Sequence, residues 1–210
     1  MELIDLKNKH QGETIWVLGS GTTLSFIEPA FFDNKIVVST NFSAQVAGVK
    51  AQYVFSHYHA DTATLIEPSN YVVTLRRDTN TQNEWAGEIP DNLIFCDQDS
   101  YTPPGSTWNP ITSHTPREDS LAYGSSSIHG AMHLAAWLGA SFIVLVGADC
   151  GTLDGGDRIE GYPAGHSPWA LYNEHHRMMK TWLIEKYGLG VYSLNPFINF
   201  NLEDHTFKGV

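Results

Sequence analysis

Thr14–Leu24 reads TIWVLGSGTTL, an apolar and β-branched run that breaks into Gly19-Ser20-Gly21-Thr22-Thr23. The run predicts a first strand over Ile15–Leu18, and the small residues after it predict a tight, phosphate-sized turn. A second segment, Ser125–Asp149, reads SSSIHGAMHLAAWLGASFIVLVGAD. Its hydroxyl residues open a predicted helix that ends at Gly139, and a β-branched strand follows that stops on an acidic residue. Two strand ends and two hydroxyl-rich helix starts are the parts of a nucleotide crevice. Taken alone, the glycine turn is a weak motif. GSGTTL lacks the last glycine of G-x-G-x-x-G and the lysine of a P-loop, so a bare strand-to-helix turn competes with phosphate binding. Ser20, Thr22 and Thr23 supply hydroxyls, and exposed N–H groups at a helix start supply an anion site.

Working outward, strands are predicted at Lys35–Ser39, Gln52–Ser56, Tyr71–Leu75, Asn92–Cys96, Phe142–Gly147 and Gly190–Leu194. Apolar residues at three- and four-residue spacing predict helices over Thr23–Phe32, Asn41–Gly48, Ile128–Leu138 and Leu171–Tyr187. Alternation of the two predicts an α/β, Rossmann-like fold: a mostly parallel sheet with helices on both faces, in one domain over residues 1–210. Two stretches rich in Pro, Gly and polar residues, Gln98–Tyr123 and Thr152–Trp169, are predicted as long, lid-like loops, the second directly after a strand end. Asn41 follows the second strand, and His57 with His59 follows the third. Polar groups at consecutive strand ends converge on one rim, as a ligand crevice requires.

Composition agrees with one ordinary globular domain. The 210 residues are 42% hydrophobic, enough for a full core. A net charge of −11 with only 12 Lys and Arg repels polyanions, which argues against nucleic acid as a partner. The longest apolar run, Leu134–Val146, is too short for a membrane span of roughly 20 residues and contains a turn at Gly139. MELIDLKNKHQGE lacks the basic start and apolar core of a signal peptide, and Cys96 and Cys150 make no disulfide framework; both point to the cytoplasm.

The order of these motifs resembles the bacterial sialyltransferases of glycosyltransferase family 42 and a related Rossmann-like group that includes 6-hydroxymethylpterin diphosphokinase. The matching steps are Gly19-Ser20-Gly21-Thr22-Thr23-Leu24, the strand ending in Asn41, and the polar turn Ser56-His57-Tyr58-His59. They continue with Ser125-Ser126-Ser127, Ala136-Trp137-Leu138-Gly139, Gly147-Ala148-Asp149, His166-Ser167, the helix Leu171–Tyr187 and the last strand before Pro196. The resemblance implies transfer of a CMP-activated, sialic-acid-type sugar to an acceptor hydroxyl without a required metal. It implies that Gly19–Thr23 and Ser125–Ser127 cradle the phosphate, and that Asn41, His57 and Asp149 hold base, ribose or sugar. His166 matches the family's base, and a neutral imidazole suits that task because its unperturbed pKa is about 6.5. The chain departs from the family where tyrosines after the acidic residue bind the leaving phosphate; here stand Cys150-Gly151, with Tyr162 or Tyr172 as substitutes. Asp149, Asp154, Asp157 and Glu160 form an acidic stretch that favours an alternative, Mg²⁺-dependent diphosphokinase chemistry with Asp149 as a metal ligand. Against that alternative, the basic residues near hand are only Arg76, Arg77, Arg117 and Arg158. A nucleotide-binding relative without catalysis is the third reading.

Further histidines carry weaker signals. His129 and His133 share one helix face, but Gly130 replaces the glutamate of H-E-x-x-H, so histidines lining the crevice or a subunit contact are expected rather than a metal site. His57, His59 and Asp61 read as ligand contacts, His175-His176 as exposed on a helix surface, and Trp137, Trp169 and Trp182 as helix-to-sheet packing. The tryptophan-rich helices leave room for a homo-oligomer.

Overall fold

The computed structural model describes residues 1–98, 117–122, 125–152, 156–163 and 169–194. The predicted loop at Gln98–Tyr123 lies mostly outside these residues, as do Asp154, His166, Ser167 and Pro196. Within them, eight strands form one sheet in the order β6-β5-β4-β3-β2-β1-β7-β8. They are β1 (Thr14–Leu18), β2 (Ile36–Thr40), β3 (Tyr53–Ser56), β4 (Tyr71–Leu75), β5 (Leu93–Gln98), β6 (Ser120–Leu121), β7 (Phe142–Val146) and β8 (Gly190–Ser193). Every neighbouring pair is parallel. Four α-helices accompany them: α1 (Ser43–Ala47), α2 (His59–Leu65), α3 (Ser127–Trp137) and α4 (Trp169–Tyr187). The α/β, Rossmann-like reading therefore holds. No helix among the described residues is long and apolar enough to cross a membrane.

Alternation along the strands separates the two faces. Ile15 and Val17 of β1, Val38 of β2 and Phe55 of β3 pack with α3 and α4 in the larger cluster. Leu18 and Val37 point the other way, with Leu24, Phe32 and Ala44. Burial of each such side chain contributes about 1.5–3 kcal/mol, and both faces are needed because a parallel sheet is covered on both sides. α3 is buried along its whole length. It lies close to the sheet because Gly130 has no Cβ: one placed there would stand 2.3 Å from the Phe55 ring. That contact explains a glycine where a zinc motif has glutamate.

The predicted helix over Thr23–Phe32 is instead two short 3-10 helices, Thr22–Phe26 and Pro29–Phe32. Pro29 cannot donate the hydrogen bond that would continue the first into the second. Three further elements were not predicted: α2, β6 and a 3-10 helix over Leu3–Leu6.

Candidate functional site

A cleft of ≈ 390 Å³ opens beyond the C-terminal ends of β1, β2, β3 and β7. The strand order explains its position. Connections from β1 run outward through β2 to β6, then the chain returns to place β7 on the other side of β1, and ligand crevices form where the order reverses. Gly19, Ser20, Gly21, Asn41, His57, Ser125, Ser126, Ser127, Asp149 and Tyr162 all line it. Thr22 does not: its hydroxyl donates to the Gly156 carbonyl at 3.1 Å. Thr40, Phe42, Tyr58 and His176 also line the cleft and were not anticipated there. Thr40 and Phe42 flank Asn41, so the strand-end rule could have found them; nothing local marks His176.

The glycine turn is braced by the protein itself. Gly19 N–H donates to Val146 O at 2.8 Å and Gly21 N–H to Gly147 O at 2.7 Å, which ties the end of β1 to the end of β7. A Cβ at Gly21 would stand 2.5 Å from the Asp149 carboxylate carbon. Asp149 accepts the Thr23 N–H at 2.7 Å and also the Thr23 hydroxyl. The N–H at this helix start, expected as an open anion site, is thus satisfied by an internal carboxylate. Burial raises the Asp149 pKa, and the two Thr23 hydrogen bonds oppose the rise.

The start of α3 is the second wall. Ser126 is its N-cap residue, and His129 Nδ1 accepts the Ser126 N–H at 3.3 Å. This places a three-turn helix with its positive end toward the cleft, which favours an anion there. Asn41 Nδ2 donates to Ser127 Oγ at 3.1 Å, and Ser127 Oγ lies 3.1 Å from His57 Nδ1. Asn41 sits at φ 43°, a left-handed conformation that asparagine tolerates. Its Oδ1 is buried and makes no well-formed hydrogen bond among the described residues. The Tyr162 hydroxyl stands near Asn41, Ser43 and Ser20; burial pushes its pKa up, and hydrogen bonding toward these residues partly offsets the rise.

The remaining histidines differ from expectation. His129 and His133 neither line the cleft nor converge on a metal. His129 Nε2 lies 3.2 Å from His176 Nδ1, whereas His133 accepts the Ala122 N–H at Nδ1 and meets the Tyr187 hydroxyl at Nε2. They are interior struts between α3 and its surroundings, fully buried. His175 and His176 are buried as well, not exposed on a helix surface, because α4 packs against α3 along the face that carries them. His175 Nδ1 lies 2.6 Å from Ser125 Oγ, and His176 Nδ1 donates to the Tyr172 carbonyl at 2.5 Å. Burial holds both His57 and His176 down at about 4, so each ring is neutral near pH 7. His59 points elsewhere, its Nε2 2.8 Å from Leu75 O. Trp137 and Trp182 pack in the core as expected. Among the described residues, no group of three His, Cys, Asp or Glu side chains gathers as a metal site.

No protein-family model matches the sequence, and no curated protein matches it in sequence. In structure the chain is similar to the Maf glycosyltransferase from Magnetospirillum magneticum AMB-1. The TM-score is 0.53 at 10% identity, over 90% of this chain and 34% of that one. The fold is therefore one that a glycosyltransferase also uses. This chain spans about a third of that protein's length.

Proposed function

We propose that the protein is a glycosyltransferase that binds a CMP-activated, sialic-acid-type sugar in the cleft and transfers the sugar to an acceptor hydroxyl. The observation that carries this reading is the cleft itself. Residues far apart in sequence, from Gly19 to Tyr162, meet at the strand-order reversal of a fold shared with a glycosyltransferase. In this reading the phosphate faces the start of α3 and the hydroxyls of Ser125–Ser127. Asn41 Oδ1, a buried acceptor without a well-formed partner, takes a donor from ribose or base, which offsets a cost of about 1–3 kcal/mol. In this reading Tyr162 and Tyr172, which line the cleft, donate their phenolic hydroxyls to the leaving phosphate. His166 takes the proton from the acceptor hydroxyl as its oxygen bonds the anomeric carbon, and the bond from that carbon to the phosphate oxygen breaks to release CMP. Mg²⁺-dependent phosphoryl transfer through Asp149 is the less favoured alternative, since both oxygens of that carboxylate already accept hydrogen bonds from Thr23.

The test is His166→Ala assayed with a CMP-sugar and glycan acceptors, in EDTA and in Mg²⁺. Transfer should be lost while CMP still raises the melting temperature, and wild-type transfer should be indifferent to EDTA. Equal transfer by the variant removes the proposed base. Activity only with ATP and Mg²⁺, abolished in Asp149→Asn, replaces the reading by phosphoryl transfer.

A further inference from the structure

The charges facing the cleft are sparse and unequal. Among the described residues that line it are three carboxylates, Asp61, Asp149 and Asp157, and one guanidinium, Arg158, with no lysine. Arg158 is a fixed part of the wall: its side chain is 15% exposed, and Nη1 donates to Pro163 O at 3.1 Å. Its Nε lies 3.6 Å from Asp157 Oδ1, and the guanidinium stands 6.0 Å from the centre of the Tyr162 ring. The segment carrying it is tied to the glycine turn. Ile159 N–H donates to Ser20 O at 2.8 Å, and the Thr22 hydroxyl donates to Gly156 O at 3.1 Å. The turn and the guanidinium therefore hold one fixed spacing.

We infer that Arg158 sets the phosphate charge this cleft accepts, so that a nucleoside monophosphate ester binds whereas a di- or triphosphate chain without an accompanying cation is rejected. This inference rests on the nucleotide reading above. One guanidinium and one helix start balance one phosphate, and a planar fork of donors suits phosphate oxygens. Each additional phosphate brings further negative charge beside Asp149 and Asp157 with no second cationic side chain among the described lining residues to meet it. The neutral rings of His57 and His176 add none near pH 7.

The experiment is calorimetric titration of the whole chain with cytidine, CMP, CDP and CTP at fixed ionic strength in EDTA. Wild type should bind CMP more tightly than cytidine, and CDP and CTP more weakly than CMP. Arg158→Gln should lose about 10- to 100-fold in CMP affinity with cytidine unchanged, the scale of a charge-assisted hydrogen bond. Asp157→Asn should narrow the gap between CMP and CDP. Arg158→Lys keeps the charge and should keep CMP ahead of CDP; a folded lysine variant that loses this order overturns the charge argument. An unchanged CMP-to-cytidine ratio in Arg158→Gln, or wild-type CDP binding as tight as CMP, also overturns it. Failure of wild type to bind any of the four ligands is a different result, because it removes the nucleotide reading itself.

Discussion

At the scale of single residues, the pairing of Thr23 with Asp149 shows how one side chain serves fold and cleft together. Asp149 lines the cleft yet directs its carboxylate at Thr23, 126 positions earlier in the chain. Thr23→Val keeps the shape and deletes the hydroxyl donor, leaving a buried carboxylate short of one hydrogen bond. Stability should fall by about 1.5–3 kcal/mol, read from the urea midpoint; an unmoved midpoint would show that the hydroxyl contributes nothing. The buried histidines make a second prediction. His57 and His176 have folded pKa values near 4, against 6.5 unfolded. Above pH 6.5 both states hold the rings neutral. Between 6.5 and about 4 only the unfolded chain takes up the protons, so stability is lost as pH falls, at about 1.4 kcal/mol per pH unit for each ring. Denaturation of His176→Asn across this range should show a shallower decline than wild type, and parallel curves would refute the assignment.

Among elements, α3 carries most of the connections between core and cleft. A backbone N–H can only donate, so His133 Nδ1 accepts from Ala122 at 2.6 Å and the ring proton on Nε2 faces Tyr187 Oη at 2.6 Å. Tyr187→Phe removes that acceptor and should cost about 0.5–1.5 kcal/mol in chemical denaturation, with nucleotide binding unchanged. Weaker nucleotide binding would mean that this end of α4 communicates with the cleft. The same elements separate what the sequence shows from what it hides. β2–β4 are readable because strands buried on both faces become runs such as IVVST, YVFS and YVVTL, and β1, β5, β7 and β8 because their β-branched and aromatic residues still mark them. β6 is two residues long, too short to show any period. The start of α2 takes its cap from outside: Asp78 accepts the His59 N–H at 2.6 Å, and no spacing within HADTATL announces that.

For the whole molecule, the cleft was legible wherever function follows from topology. Gly19, Asn41, His57 and Asp149 stand at or just after strand ends, and parallel strands must bring their ends to one rim. Ser125–Ser127 were legible for a related reason, being the opening of a helix that returns across the sheet. What the pattern missed depends on contacts between elements. His175 and His176 belong to a polar helical stretch, and only the packing of α4 on α3 determines that they are inside. Thr22 and Thr23 look equivalent in GSGTTL, yet one hydroxyl reaches Gly156 and the other Asp149, partners far along the chain.

Because β1 pairs with β2 on one side and with β7 on the other, its two edges become satisfiable at different moments of synthesis. A nascent chain emerging from the ribosome can zip β1 through β5 early. The second edge of β1 then waits for residues beyond Phe142, exposing Ile15 and Val17 beside unpaired backbone, a surface that invites association with other chains. The cleft needs both edges of β1, so it is finished last, and a chain cut short before β7 would carry the glycine turn with nothing to brace it.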